Sequence, residues 1–174
     1  MKDISNAFKL LNDLMETNPE FKSLVEENIK LGKIRTFNEE EFELIKKQNY
    51  IAPREELRDL IPTFYDLFLL GYNIGNCVQV TRQLSYSYRE VDIVTGILPI
   101  LKGTLNAEKE GGHAWLEING KIIDTSLMLV IDSSLKDKFG YIEERRLKYT
   151  DLTRDKIYLS RREFVLDKSI KKKI

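Results

Sequence analysis

A chain of 174 residues with 42% hydrophobic and 32% charged side chains has the length of one domain and enough apolar material for a packed core. Its 28 basic and 28 acidic residues cancel, which argues against a nucleic-acid-binding field or a strongly charged partner, and the basic run of Lys171, Lys172 and Lys173 reads as a solvated tail. The single cysteine excludes an internal disulfide and favours a reducing compartment.

Met1-Lys2-Asp3-Ile4 lacks the charged-then-apolar pattern of a signal peptide, and the longest apolar run, residues 67–70, is too short to span a membrane. The expectation is a cytoplasmic protein with no membrane partner.

The first seventy residues read as helices. Ile4, Phe8, Leu11 and Met15 follow helical spacing. Asn18-Pro19 interrupts the chain, Pro19 opens a second helix carrying Phe21, Leu24, Val25 and Ile29, and Gly32 stops it. A third helix is signalled by Asn38 as cap, Glu41 three residues on, and Phe37 placed to staple onto Phe42. Pro53 starts a further segment and Pro62 breaks or restarts it; the apolar run 67–70 then ends at Gly71.

Cys77 lies in Gly75-Asn76-Cys77-Val78-Gln79-Val80. Asn76 is a good helix cap, and Val80, Leu84 and Tyr88 continue an apolar stripe, so Cys77 is expected in the first turn of a helix. Unpaired N–H groups and the positive dipole end favour a thiolate there and can hold an oxyanion. The backbone N–H of Cys77 is the first candidate donor. The side chains of Tyr72, Asn73, Asn76 and Gln79 are further candidates, although Asn76 and Gln79 better suit plain capping.

After residue 88 the texture changes. Val91, Ile93, Thr95 and Ile97 alternate with Asp92, Val94, Gly96 and Leu98, which predicts a strand, and Pro99 places its end at a sheet edge. Residues 102–112 read as a loop. Residues 113–118 and 121–130 then flank Asn119-Gly120, a strong two-residue hairpin signal. That turn fixes a register in which Ile118 faces Lys121, Glu117 faces Ile122, Trp115 faces Asp124 and His113 faces Ser126. His113, Trp115, Asp124 and Ser126 then share one face, with Asp124 diagonal to His113 and within reach of an imidazole–carboxylate hydrogen bond. Trp115 is expected as a core or cleft-wall residue and Glu117 as a solvated one. Residues 156–165 are expected to add one more strand.

Taken singly, a lone cysteine is more often a small buried side chain and a lone histidine more often structural. Together they sit in a pattern that resembles the transglutaminase-like superfamily, a papain-related cysteine-protease fold. The specific stretch runs from Gly112-His113-Ala114-Trp115-Leu116-Glu117-Ile118 through Asn119-Gly120 to Lys121-Ile122-Ile123-Asp124, with the cysteine at a helix start before it. The resemblance covers residues 71–130. Locally, the stretch is also similar to bacterial lasso-peptide leader peptidases.

The resemblance implies an α+β fold: N-terminal helices over residues 1–70, packed on a catalytic core over 71–174 in which a nucleophile-bearing helix lies on an antiparallel sheet. It implies Cys77 as nucleophile, His113 as base and Asp124 as the orienting carboxylate of a catalytic triad. The expected activity is a cysteine hydrolase of amide or peptide bonds, or an acyltransferase, working through a thioester on a peptide or protein substrate. Cross-linking members of the family commonly carry an aromatic residue after the cysteine; Val78 in that place points towards hydrolysis. No cofactor is implied. One histidine and one cysteine without a dense carboxylate motif leave too few characteristic ligands for a metal. The competing expectation is a catalytically inactive module of this fold whose helical N-terminal region binds a protein partner.

Overall fold

Asn18 separates two helices and serves both. In the computed structural model, which describes residues 8–36, 77, 81, 85, 90–104, 111–148 and 151 and the backbone of 157–159 and 164–166, helix α1 (Lys9–Thr17) ends where the Asn18 N–H bonds Leu14. The Asn18 side chain then accepts the Phe21 N–H at 3.0 Å and caps α2 (Pro19–Lys30), with Pro19 in the first turn. α2 closes in a Schellman motif: Lys33 N–H reaches Asn28 O, Gly32 N–H reaches Ile29 O, and Gly32 takes φ 71°.

The expectation of helices throughout the first seventy residues fails immediately beyond. Ile34–Thr36 is a strand, β1, pairing antiparallel with β5 (Leu129–Asp132). The third helix expected from Phe37, Asn38, Glu41 and Phe42 and the segments at Ile4, Pro53, Pro62 and Gly71 lie outside the described residues.

The remaining strands of the main sheet are β2 (Asp92–Ile97), β3 (Gly112–Ile118), β4 (Lys121–Asp124) and β6 (Ile142–Leu147). Their order is β1-β5-β4-β3-β2-β6, with every neighbouring pair antiparallel. The chain is therefore α+β, built on a six-stranded antiparallel sheet. β2 lies between β3 and β6, so Pro99 does not mark a sheet edge; it opens a 3-10 turn, Pro99–Leu101, just past the strand.

The β3–β4 hairpin follows its turn. Asn119 and Gly120 both take positive φ, 50° and 73°, as a tight primed turn requires, and Ile118–Lys121, Glu117–Ile122 and Leu116–Ile123 pair in the expected register. The expected continuous strand 121–130 is instead cut at Asp124. The Asp124 carboxylate accepts the N–H groups of Ser126 and Leu127, each at 3.1 Å, which turns the chain; Met128 takes φ 54°, and β5 returns alongside with Leu129 opposite Asp124. Ser126 therefore sits in the turn and does not face His113.

Strand parity assigns the core. Val94, Trp115, Ile122, Leu129 and Ile131 point to one face and join Leu11, Leu14, Phe21 and Val25 of the two helices, together with Leu127, Leu135, Phe139 and Tyr141. On the other face Ile93, Thr95, Ala114, Leu116, Ile123 and Val130 are buried as well. A sheet covered on both sides has no polar side to alternate with, which is why β2 shows only a weak period of two in sequence. At the far edge, β6 is exposed along most of its length.

One local fit is tight. β6 bulges against β2 at Glu144, between the Thr95–Arg145 and Gly96–Glu143 pairs, and a Cβ on Gly96 would collide with the Ile142 carbonyl. The strand expected over 156–165 resolves into two, β7 (Ile157–Leu159) and β8 (Phe164–Leu166), paired antiparallel in a separate small sheet. Among the described residues, no helix is long and apolar enough to cross a membrane.

Candidate active site

Cys77, Thr81 and Ser85 are helical, spaced by four, and all buried. That spacing puts them on one helix face. Thr81 Oγ1 donates to the Cys77 carbonyl at 2.8 Å, tying the residue's backbone to the next turn. The expected neighbours of this segment, Tyr72, Asn73, Asn76, Gln79, Val80, Leu84 and Tyr88, lie outside the described residues.

His113 enters from β3, where Gly96 of β2 is its cross-strand partner. Its Nε2 lies 2.8 Å from Asp124 Oδ2, and its side chain is also hydrogen-bonded to Cys77. With Nε2 committed to the carboxylate, Nδ1 is the nitrogen left for the sulfur. Cys77, His113 and Asp124 thus form one chain of side-chain contacts, of which strand parity led one to expect only the His113–Asp124 half. They are 4%, 1% and 0% exposed.

Asp124 is saturated with donors. Its Oδ1 takes the Ser126 and Leu127 N–H groups, and its Oδ2 takes His113 and the Tyr141 hydroxyl, the latter at 2.6 Å. Burial favours the neutral acid, but His113, Tyr141 and the Leu127 N–H outweigh it and hold the carboxyl below its usual range. For His113, burial pushes towards the neutral ring. The Asp124 charge and hydrogen bond, followed by Cys77, overcome that and raise the imidazole to about 10. Burial, then the Asp124 charge, drives Tyr141 well above the ordinary phenol, so it remains a hydroxyl donor.

Trp115 is fully buried beside the histidine. Its ring stacks on His113 (centroids 6.1 Å, planes 29° apart) and tilts against Tyr141 at 4.9 Å, and its indole N–H donates to Glu117 at 3.0 Å. As the indole has a single donor, Trp115 supports the histidine from behind and its N–H is not turned to an oxyanion. Glu117, expected to be solvated, is instead a convergence point. It accepts from Trp115, from Lys136 at 2.8 Å and from Arg146 at 2.6 Å, and Arg146 also bonds Asp92 and Glu143. Burial opposes ionisation of Glu117, but these donors keep its carboxyl below the usual range.

Tyr141 is the site residue that sequence reasoning missed. It follows Gly140, which ends the short helix Lys136–Phe139 in a left-handed cap at φ 82°. A Gly-Tyr step after a helix signals a chain reversal, and only closure of the fold brings its hydroxyl to Asp124. Among the described residues, no group of three or more His, Cys, Asp or Glu side chains is placed to hold a metal ion.

Comparison of the chain with protein-family models, with curated proteins and with solved structures finds no match to any of them.

Proposed function

We propose that this chain is a cysteine-dependent hydrolase of amide or peptide bonds, or an acyltransferase, of transglutaminase-like type, with a transglutaminase-like core over residues 71–174 on which the N-terminal region packs. The observation that carries the reading is the continuous contact from Cys77 through His113 to Asp124, with the imidazole held in its protonated range. An imidazolium flanked by a carboxylate and a sulfur is the resting pair that a cysteine nucleophile uses.

The chemistry follows from the contacts. The Cys77 thiolate attacks the carbonyl carbon of an amide, and the carbonyl electrons move onto oxygen. Backbone N–H groups near Cys77 stabilise that oxyanion, Cys77's own first; Asn73, Asn76 and Gln79 are the side-chain candidates. Collapse breaks the C–N bond, and the amine leaves with the proton from His113 Nδ1, giving a thioester. Water, deprotonated by the now neutral His113, releases the acid and regenerates the thiolate; an amine in place of water gives transamidation. Asp124 keeps Nε2–H pointed at itself throughout and so fixes the tautomer that leaves Nδ1 facing the sulfur. These steps call on no cofactor. The substrate is a peptide or protein amide and, with a reactive lone cysteine, the site of action is the cytoplasm.

The test is alkylation of the full chain with iodoacetamide between pH 6 and 8, read by mass spectrometry, alongside turnover of amide substrates by the wild type and by Cys77→Ala. The proposal expects Cys77 to label faster than free glutathione at pH 6 and Cys77→Ala to lose turnover. Equal labelling, with turnover unchanged in Cys77→Ala, would falsify it.

One observation favours a second reading, an idle triad in a binding module whose helical N-terminal region meets a protein partner: Cys77 is only 4% exposed. Binding of a partner that is indifferent to Cys77→Ala, together with no turnover by the wild type, would select that reading.

A further inference from the structure

Tyr141 and His113 donate to the same oxygen of Asp124, and the tyrosine ring packs against two further aromatic rings. The Trp115 ring lies 4.9 Å away and the Phe139 ring 6.3 Å; Phe139 in turn meets Phe21 of α2 edge-on at 5.9 Å. Trp115 continues the row to His113. Five rings thus run from the N-terminal helix pair to the imidazole, with Tyr141 in the middle and sharing the Asp124 carboxylate with the His113 ring at the end.

We propose that Tyr141 is a positioning residue of the triad, acting on His113 through Asp124, and that α2 holds it in place through Phe21 and Phe139. The inference rests on the catalytic reading for its effect on rate, but not for its effect on the histidine.

The physical case is one of competing donors. A carboxylate shared between two donors on one oxygen cannot swing towards either, so the Nε2–H bond is fixed in direction and the ring keeps Nδ1 on the sulfur. All four partners of Asp124 are donors, which leaves it no lone pair to spare for a stray water or a second rotamer. The aromatic grip matters because the hydroxyl is useful only where the ring stands. Among the described residues, the titratable groups around it are Asp124 from β4, His113 and Glu117 from β3, and Lys136, which lies over the Trp115 ring at 5.9 Å; Cys77 is bonded to His113 beyond.

The sequence makes the test direct, since the chain's single histidine gives one imidazole signal. In 15N-labelled full-length protein, Tyr141→Phe keeps the ring and removes only the hydroxyl. The expected result is a native amide spectrum with Nε2–H exchanging with water about 10-fold faster or more, and an imidazolium midpoint displaced by about half a unit or more. Phe139→Leu keeps the hydroxyl but loosens the grip, and should move both readouts the same way by less. If amide turnover is measurable, kcat falls about 5- to 10-fold in Tyr141→Phe with KM unchanged. An Nε2–H exchange rate and midpoint unchanged in Tyr141→Phe overturn the inference; if that variant does not fold, unchanged values in Phe139→Leu do so. Failure of turnover with the NMR effects intact sinks the catalytic reading and leaves this one standing.

Discussion

Tyr141 and His113 meet on a single atom, Oδ2 of Asp124, at 2.6 and 2.8 Å, while two backbone N–H groups occupy the other oxygen. The aspartate that caps the turn is thus the same residue that holds the imidazole. The hairpin that ends β4 and the orientation of the histidine cannot be changed independently.

Asp124→Asn separates charge from shape. The asparagine oxygen can still accept the Ser126 and Leu127 N–H groups, so the turn should survive. Its NH2 then faces Nε2, which must become an acceptor, and the remaining proton moves to Nδ1, pointing at Cys77. A neutral ring protonated on that side cannot take the thiol proton. We expect a correctly folded protein whose Cys77 alkylation and amide turnover fall by about 10³–10⁴-fold, measured by mass spectrometry at pH 7.

The pair also sets a pH window for stability. His113 is raised from 6.5 to about 10, so its contribution is complete below 6.5 and is lost as the pH climbs through about 10. Asp124 is lowered from 3.8, so its contribution is complete above 3.8 and is lost as the pH falls through its depressed folded value. Thermal unfolding midpoints should therefore be highest between about pH 4 and 6.5 relative to His113→Gln, with the advantage shrinking steadily towards pH 10. A flat difference from pH 6 to 10 would contradict the raised imidazole.

At Gly96 the constraint is steric. A methyl group there would strike the Ile142 carbonyl, a backbone atom that cannot rotate aside. Gly96→Ala should cost about 1–3 kcal/mol, read from urea unfolding. Because Gly96 pairs with His113, the same change should also broaden the imidazole resonance.

Glu117→Gln tests the charge cluster beneath Trp115. Glu117 and Lys136 are half-buried and Arg146 is more open, so screening limits what their pairing contributes. A loss of about 1 kcal/mol is expected in 50 mM salt, and most of it should vanish in 1 M salt. A deficit that is the same at both concentrations would mean that the indole hydrogen bond, and not charge, is what matters.

How far the sequence could be read depended on whether a signal was local. Asn119-Gly120 carried its own backbone requirement, and the parity it set put His113 and Asp124 on one face as found. Asn18-Pro19 and Gly32 likewise marked real helix ends. The break at Asp124 was hidden because apolar residues run on through 127–131, and the left-handed residue of that turn is Met128 where a glycine would have announced it. β1 has three residues, too few to show a period, and β6 reads as polar because it is an exposed edge. Tyr141 was invisible for a different reason. Its role is a contact across the fold, and no spacing encodes it. The contact between Cys77 and His113 is of the same kind; there, family resemblance stood in for geometry.

The pairing of Ile34 with Ile131 carries a consequence for how the chain assembles. The hairpins β3–β4 and β4–β5 join neighbours and can close as soon as they are made. β1 cannot, for its partner strand is synthesised long after it, and closing so large a loop costs entropy before any contact returns it. Topology therefore makes the β1 edge a late step, and until it is taken the growing chain carries an unfinished sheet border open to a wrong partner.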